Sequence, residues 1–262
     1  MICIGTDESD SRTAVEFAEK HDGVFASIGI HPHYAKDNIN DIGRLADILC
    51  SGNGFAPGSI RVSTPHRARV ADVSLNKGNQ QDSLLIKNKI VAIGEVGLDY
   101  FYTDSPSPED QISLLKAQIE LALKYDLPII FHVRDAYDDF WSVFDSFKDK
   151  KKKIRGVLHC FTDTMENAMK GLERGLYISV NGIFTFTKDE SQKQMFASIP
   201  LNKLLLETDA PWLTPSPLRG KVKVNEPAFV REIADYVGKV YQVSFEEIAD
   251  ITTANARTLF KI

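Results

Sequence analysis

Seven short apolar runs recur along this chain: ICIG, VFASIGI, KIVAIG, LPIIFHV, RGVLHC, LYISVNG and KLLLETD. Amphipathic stretches such as SRTAVEFAEKH, SPEDQISLLKAQIELALKY and TMENAMKGLERG lie between them. Brief runs rich in Val, Ile and Leu read as strands buried on both faces, and the periodic stretches read as helices. Start signals support the helices. Ser107-Pro108 with Asp110 places a capping residue ahead of Pro at the first helical position, and Ser244 with Glu247 fits the same box. Strands alternating with helices imply a parallel sheet covered by helices, either doubly wound or a (β/α) barrel.

With 262 residues, 43% of them hydrophobic, the chain can bury a sizeable core as a single domain spanning residues 1–262. No run approaches the ~18 apolar residues of a membrane span, and MICIGTDESDSRTA lacks the basic and apolar regions of a secretory leader. Cys3, Cys50 and Cys160 have no metal-type spacing and read as free thiols, which points to a cytoplasmic or nuclear setting. The net charge of −5 gathers no polyanion, so a nucleic acid would have to be held by local cations or a bound metal. One segment breaks the rhythm. Residues 50–87 carry Gly, Pro, Ser and Asn without a sustained period and read as an insertion after the second helix, though RVADVSL within it also suits a short strand.

Functional information sits where the strands stop. Glu95 closes KIVAIGE, His132 closes LPIIFH, His159 closes RGVLH and Asp209 closes KLLLETD. A single His or Glu at a strand end is ordinarily a hydrogen-bonded or solvated residue, but four metal-ligand types at four strand ends are a different matter. In a parallel barrel all such ends share one face, where barrel active sites are built. Carboxylate and imidazole donors suit Zn²⁺, Mn²⁺ or Mg²⁺.

The motifs GIHPH, IGEVGLDY, FHVRDA, LHCFTD, LLLETDAPWL and TTANARTLF strongly resemble the TatD family of metal-dependent deoxyribonucleases, in the family's order and from Ile2 to Phe260. The resemblance implies a TIM-type (β/α) barrel and hydrolysis of DNA phosphodiesters from the 3′ end, with two divalent ions (Mg, Mn or Zn). It also implies roles. Glu95 bridges the ions, His132 and His159 complete one of them, and Asp209 belongs to the other and handles the nucleophilic water. The family pattern opens on a first strand ending in His-x-His, whereas this sequence opens on ICIGTDESD, which corresponds to the family's second strand. The expected barrel is therefore missing its first strand. One well-ligated ion is expected, at Glu95, His132 and His159, and a weaker position at Glu95 and Asp209.

His31, which ends its own strand, is placed either to contact a phosphate or to fix its loop through Pro32, and a substrate contact is expected from Arg134, whose guanidinium can grip two phosphate oxygens unless it pairs with Asp135 or Glu95. Arg219, Lys221 and Lys223, in the loop beyond Asp209, are placed either to follow a DNA backbone or simply to face water. Trp212 either stacks on a base of a single-stranded end or packs on the barrel rim. The run Lys150 to Lys153 precedes a strand and belongs to the opposite face. Cys160, beside His159, reads as a packing residue. Two other outcomes compete with the nuclease: an amidohydrolase-like enzyme for small molecules, and a non-catalytic remnant of the fold.

Overall fold

A computed structural model of the protein describes residues 1–38, 41–53, 89–149 and 153–262. Seven parallel strands form one sheet in chain order: β1 (Ile2–Ile4), β2 (Phe25–Ile28), β3 (Ile90–Asp99), β4 (Ile129–Arg134), β5 (Gly156–Leu158), β6 (Tyr177–Val180) and β7 (Leu204–Leu206). Each corresponds to one of the apolar runs. The helices are α1 (Glu8–Lys20), α2 (Ala35–Asn38), α3 (Ile42–Asn53), α4 (Pro108–Tyr125), α5 (Tyr137–Asp145), α6 (Met165–Glu173), α7 (Gly182–Phe186), α8 (Glu190–Ser198), α9 (Val230–Tyr241) and α10 (Phe245–Phe260). The Ser107 hydroxyl accepts from the Asp110 N–H, and the Ser244 hydroxyl accepts from the Glu247 N–H, so both caps form as the sequence dictates.

The sheet curls. A single interior cluster draws Ile2 and Ile4 from β1, Ala92 from β3, Ile130 from β4, Val157 from β5, Tyr177 from β6 and Leu205 from β7, although β1 and β7 stand at opposite margins of the sheet. Among the described residues β7 and β1 do not pair, so the sheet remains a half-barrel rather than a closed ring. Helix α10 lends Ala256, Leu259 and Phe260 to the interior cluster. The remaining core lies between the outer face of the sheet and the helices.

Strand ends depart from expectation: β4 runs two residues past His132 to Arg134, Asp209 lies three residues beyond the end of β7, and β3 differs most. The sequence places Glu95 at the end of its strand, yet β3 runs on to Asp99. The register moves from Ile93 opposite Ile129 to Val96 opposite Phe131, so β3 carries one residue more than β4 between these pairs. Bulges of this kind re-aim a side chain beside a site. The Glu95 N–H donates not to β4 but to the carbonyl of Gly5, at 2.9 Å. The glycines on either side are obligatory. A Cβ on Gly94 would lie 2.6 Å from Ile130 Cβ, and one on Gly97 would overlap the carbonyl oxygen of His132. The proposed insertion at 50–87 falls outside the described residues except for 50–53, which complete α3. Lys150 to Lys152 are likewise outside them. No helix among the described residues is long and apolar enough to cross a membrane.

Candidate metal centre

The strand exits bring Glu95, His132, His159 and Asp209 together, with His31 beside them. Oε1 of Glu95 lies 2.8 Å from His132 Nδ1, 3.4 Å from His159 Nε2 and 3.7 Å from His31 Nε2. Asp209 Oδ1 is 3.8 Å from His159 Nε2. Divalent ions hold such donors at about 2.0–2.2 Å, so ligands of one ion stand some 3–3.5 Å apart. The donor atoms of Glu95, His132 and His159, all within 4.8 Å of one another, match that spacing and chemistry. These three residues fit a divalent cation.

The far side of each imidazole is also held. His132 Nε2 is 3.0 Å from Asp99 Oδ2, and His159 Nδ1 donates to Glu207 Oε2 at 2.8 Å. Carboxylates in this position fix ring orientation and tautomer for a metal-binding histidine. Both were missed at the level of sequence. Asp99 lies four residues beyond Glu95, is 1% exposed, accepts from the Phe101 N–H and also faces His33 Nε2 at 3.1 Å. The period-two rule counted from Glu95 through Gly97 would have found it. Glu207 sits two residues before Asp209 and accepts from the Cys160 N–H, the Ser179 hydroxyl and the Asn181 amide as well.

Burial and neighbouring charge set the protonation states. Burial opposes charge on Glu95, but His159 and His132 outweigh it and hold the carboxyl well below its usual range. Asp99 is held at about 2 against the same cost of burial, by His132 and the Phe101 N–H. Burial would lower His159, yet Glu207 and Glu95 push it up to about 10. His31 is pressed down to about 3, chiefly by burial and by His132. It therefore stays neutral, and because its Nδ1 accepts from the His33 N–H at 3.3 Å, Nε2 carries the proton. Burial raises Asp209 to about 6, even though His159 opposes the rise. The Cys160 thiol is raised further by burial and by Glu207, which makes it a poor nucleophile or ligand.

Three non-glycine residues at this face adopt left-handed backbone: Asp135 (φ 54°), Cys160 (φ 47°) and Asp209 (φ 55°). Such a conformation costs roughly 1–2 kcal/mol per residue and concentrates at functional sites. Arg134 pairs with neither Asp135 nor Glu95 among the described residues. Its guanidinium lies over the ring of Phe101 at 3.4 Å, with Tyr102 beside it at 5.4 Å. Arg219 covers Phe186 at 3.8 Å, and Lys221 and Lys223 are exposed, so these three do not join the carboxylate–imidazole cluster. Trp212 is exposed rather than packed on the rim.

Residues 1–261 match the sequence model of the family described as TatD related DNase. The chain belongs to the TatD family. Over its whole length it is 34% identical, across 262 residues and 87% of the relative, to YabD of Bacillus subtilis strain 168, named an uncharacterized metal-dependent hydrolase. It is 31% identical over 266 residues, 100% of this chain and 88% of the relative, to the 3'-5' ssDNA/RNA exonuclease TatD of Erwinia tasmaniensis. The fold resembles that of YjjV, a TatD homologue from Escherichia coli K12, with a TM-score of 0.76 at 24% identity, covering 100% of this chain and 86% of the other. Like its TatD relatives, the chain is a metal-dependent hydrolase.

Proposed function

We propose that this TatD-family chain is a deoxyribonuclease that removes nucleotides from the 3′ end of single-stranded DNA. The observation that carries the proposal is the Glu95–His132–His159 cluster with Asp209 beside it, 3.8 Å from His159. The relatives named as 3'-5' ssDNA/RNA exonucleases supply the substrate class and polarity.

In this reading Glu95, His132 and His159 hold one divalent cation, Mg²⁺, Mn²⁺ or Zn²⁺, and Glu95 with Asp209 offers a second, weaker position. A cation held there would supply Lewis acidity toward a phosphoryl oxygen and a lowered pKa for water. The chain's own groups do the rest. Asp209 takes the proton of the attacking water. His31, neutral and protonated on Nε2, donates a hydrogen bond to a non-bridging phosphate oxygen. Arg134, propped on Phe101, offers the rest of its guanidinium fork to the same phosphate. Arg219, Lys221 and Lys223 follow the backbone beyond the cleaved bond.

The test is release of nucleotides from 3′-labelled single-stranded DNA with Mg²⁺ or Mn²⁺, with chelator, and with Asp209→Ala. Metal-dependent release that the substitution abolishes is the expected result. Release that is equal in wild type and variant sinks the proposal, and cleavage of small esters or amides without DNA cleavage would replace it with an amidohydrolase activity.

A further inference from the structure

Trp212 follows Asp209 by three residues and is 71% exposed, more than any other large apolar side chain among the described residues. An indole left in water contributes little to folding, since its apolar area is not removed from solvent. Its backbone, by contrast, is pinned. The Trp212 N–H donates to the Asp209 carbonyl at 2.8 Å, and the Trp212 carbonyl accepts from the Asn225 side-chain amide. Asn225 is buried. Its amide also donates to the Thr208 carbonyl at 2.7 Å, and its own N–H donates to the Pro211 carbonyl at 3.1 Å. The two ends of the 209–225 segment are thereby tied together beside Asp209. Between the ties stand Arg219, Lys221 and Lys223, all exposed, with no carboxylate partner among the described residues.

An exposed aromatic ring on a pinned backbone, with cations spaced along the same loop, suits one kind of occupant. Unpaired bases offer faces for stacking and their backbone offers phosphates, and proteins that hold single strands combine these two contacts. A chain of net charge −5 must gather a polyanion through local cations, and this loop supplies three. We infer that residues 209–225 form a single-strand subsite in which Trp212 stacks on an unpaired base while Arg219, Lys221 and Lys223 hold backbone phosphates. The inference deepens the nuclease reading and rests on it for the substrate class.

The test separates binding from turnover. The full chain is titrated with a short oligothymidylate in chelator, and its tryptophan fluorescence is followed. Trp141 is 6% exposed and serves as the shielded reference. Quenching of the exposed indole is expected, and Trp212→Phe should remove it. By anisotropy of a labelled oligomer, Trp212→Ala should weaken binding about tenfold or more. Replacing Arg219, Lys221 and Lys223 together by Ala should flatten the log–log salt dependence by about 2, at roughly 0.7 per single-strand phosphate contact. The near-UV circular dichroism of Trp141 reports that each variant is folded. Binding and quenching without DNA cleavage would remove the nuclease reading and leave the subsite standing. Cleavage without quenching, with Trp212→Ala binding as tightly as wild type, overturns the subsite alone. Neither binding nor cleavage overturns both.

Discussion

His159 donates from Nδ1 to Glu207 Oε2 at 2.8 Å and thereby presents Nε2 to Glu95 and Asp209. Glu207 is in turn held by the Cys160 N–H at 2.8 Å and the Ser179 hydroxyl at 2.6 Å. Losing that acceptor frees the ring to take the other tautomer or to rotate. Glu207→Gln should reduce divalent-metal affinity by about 10- to 100-fold, measured by calorimetry with Mn²⁺ or Zn²⁺. Unchanged affinity would show that Glu207 serves packing alone.

Metal binding should release protons. In the metal-free protein Glu207 and Glu95 outweigh burial and raise His159 to about 10, and His132 is also raised, by Asp99 and Glu95. A cation needs a neutral imidazole, so affinity should climb as pH rises toward the His159 value, by about a decade per unit for each proton displaced. The sign for stability is opposite. A His raised above its unfolded value of about 6.5 stabilises the metal-free fold fully below that pH and loses the contribution as pH rises through about 10. Calorimetry in buffers of different ionisation enthalpy should detect one or more protons released per ion, and thermal melts of the chelated protein across pH 6–10 should fall with pH apart from other titrations.

Asp209 acts as a base only when ionised, and burial raises it to about 6. That value holds without metal, and a bound cation would favour the carboxylate, so at saturating cation kcat/KM should fall only as pH drops to about 6 or below. Asp209→Asn should lower hydrolysis by about 10²- to 10⁴-fold, while cation binding at Glu95, His132 and His159 stays within tenfold of wild type. A variant that lost the metal instead would reassign Asp209 as mainly a ligand.

Gly97→Ala places a methyl against the His132 carbonyl, where only backbone can yield. Strands β3 and β4 would have to part at the point where Glu95 meets His132. A loss of about 3 kcal/mol should appear as a melting temperature lower by several degrees, together with weakened metal binding. A variant with wild-type melting would show that the strands separate at little cost.

All seven strands could be read from the sequence because each is an apolar run bounded by polar residues, a pattern that depends on local chemistry alone. Glu95, His132, His159 and Asp209 stood out for the same reason, as ligand types ending those runs. Asp99 and Glu207 did not. Each looks like an ordinary acid until the register of β3 on β4 brings Asp99 to His132 and His33, and the exit of β7 brings Glu207 to His159. Register is a long-range property. The bulge that carries Glu95 stayed hidden too, because an extra residue in a strand leaves the hydrophobic pattern almost unchanged. Arg134 shows a further limit: charge offered a phosphate, or else a carboxylate, as its partner, and the structure sets it on the face of Phe101.

The interior cluster joins Ile2 and Ile4 to Leu259 and Phe260. Contacts spanning nearly the whole sequence are the last to repay the entropy of closing so long a loop. On a ribosome the strands can register one after another as they emerge, but the inside of the curled sheet stays unsealed until residue 260 has cleared the exit tunnel. A nascent chain stalled before that point would leave Ile130, Val157 and Leu205 without the cover that Leu259 and Phe260 give them.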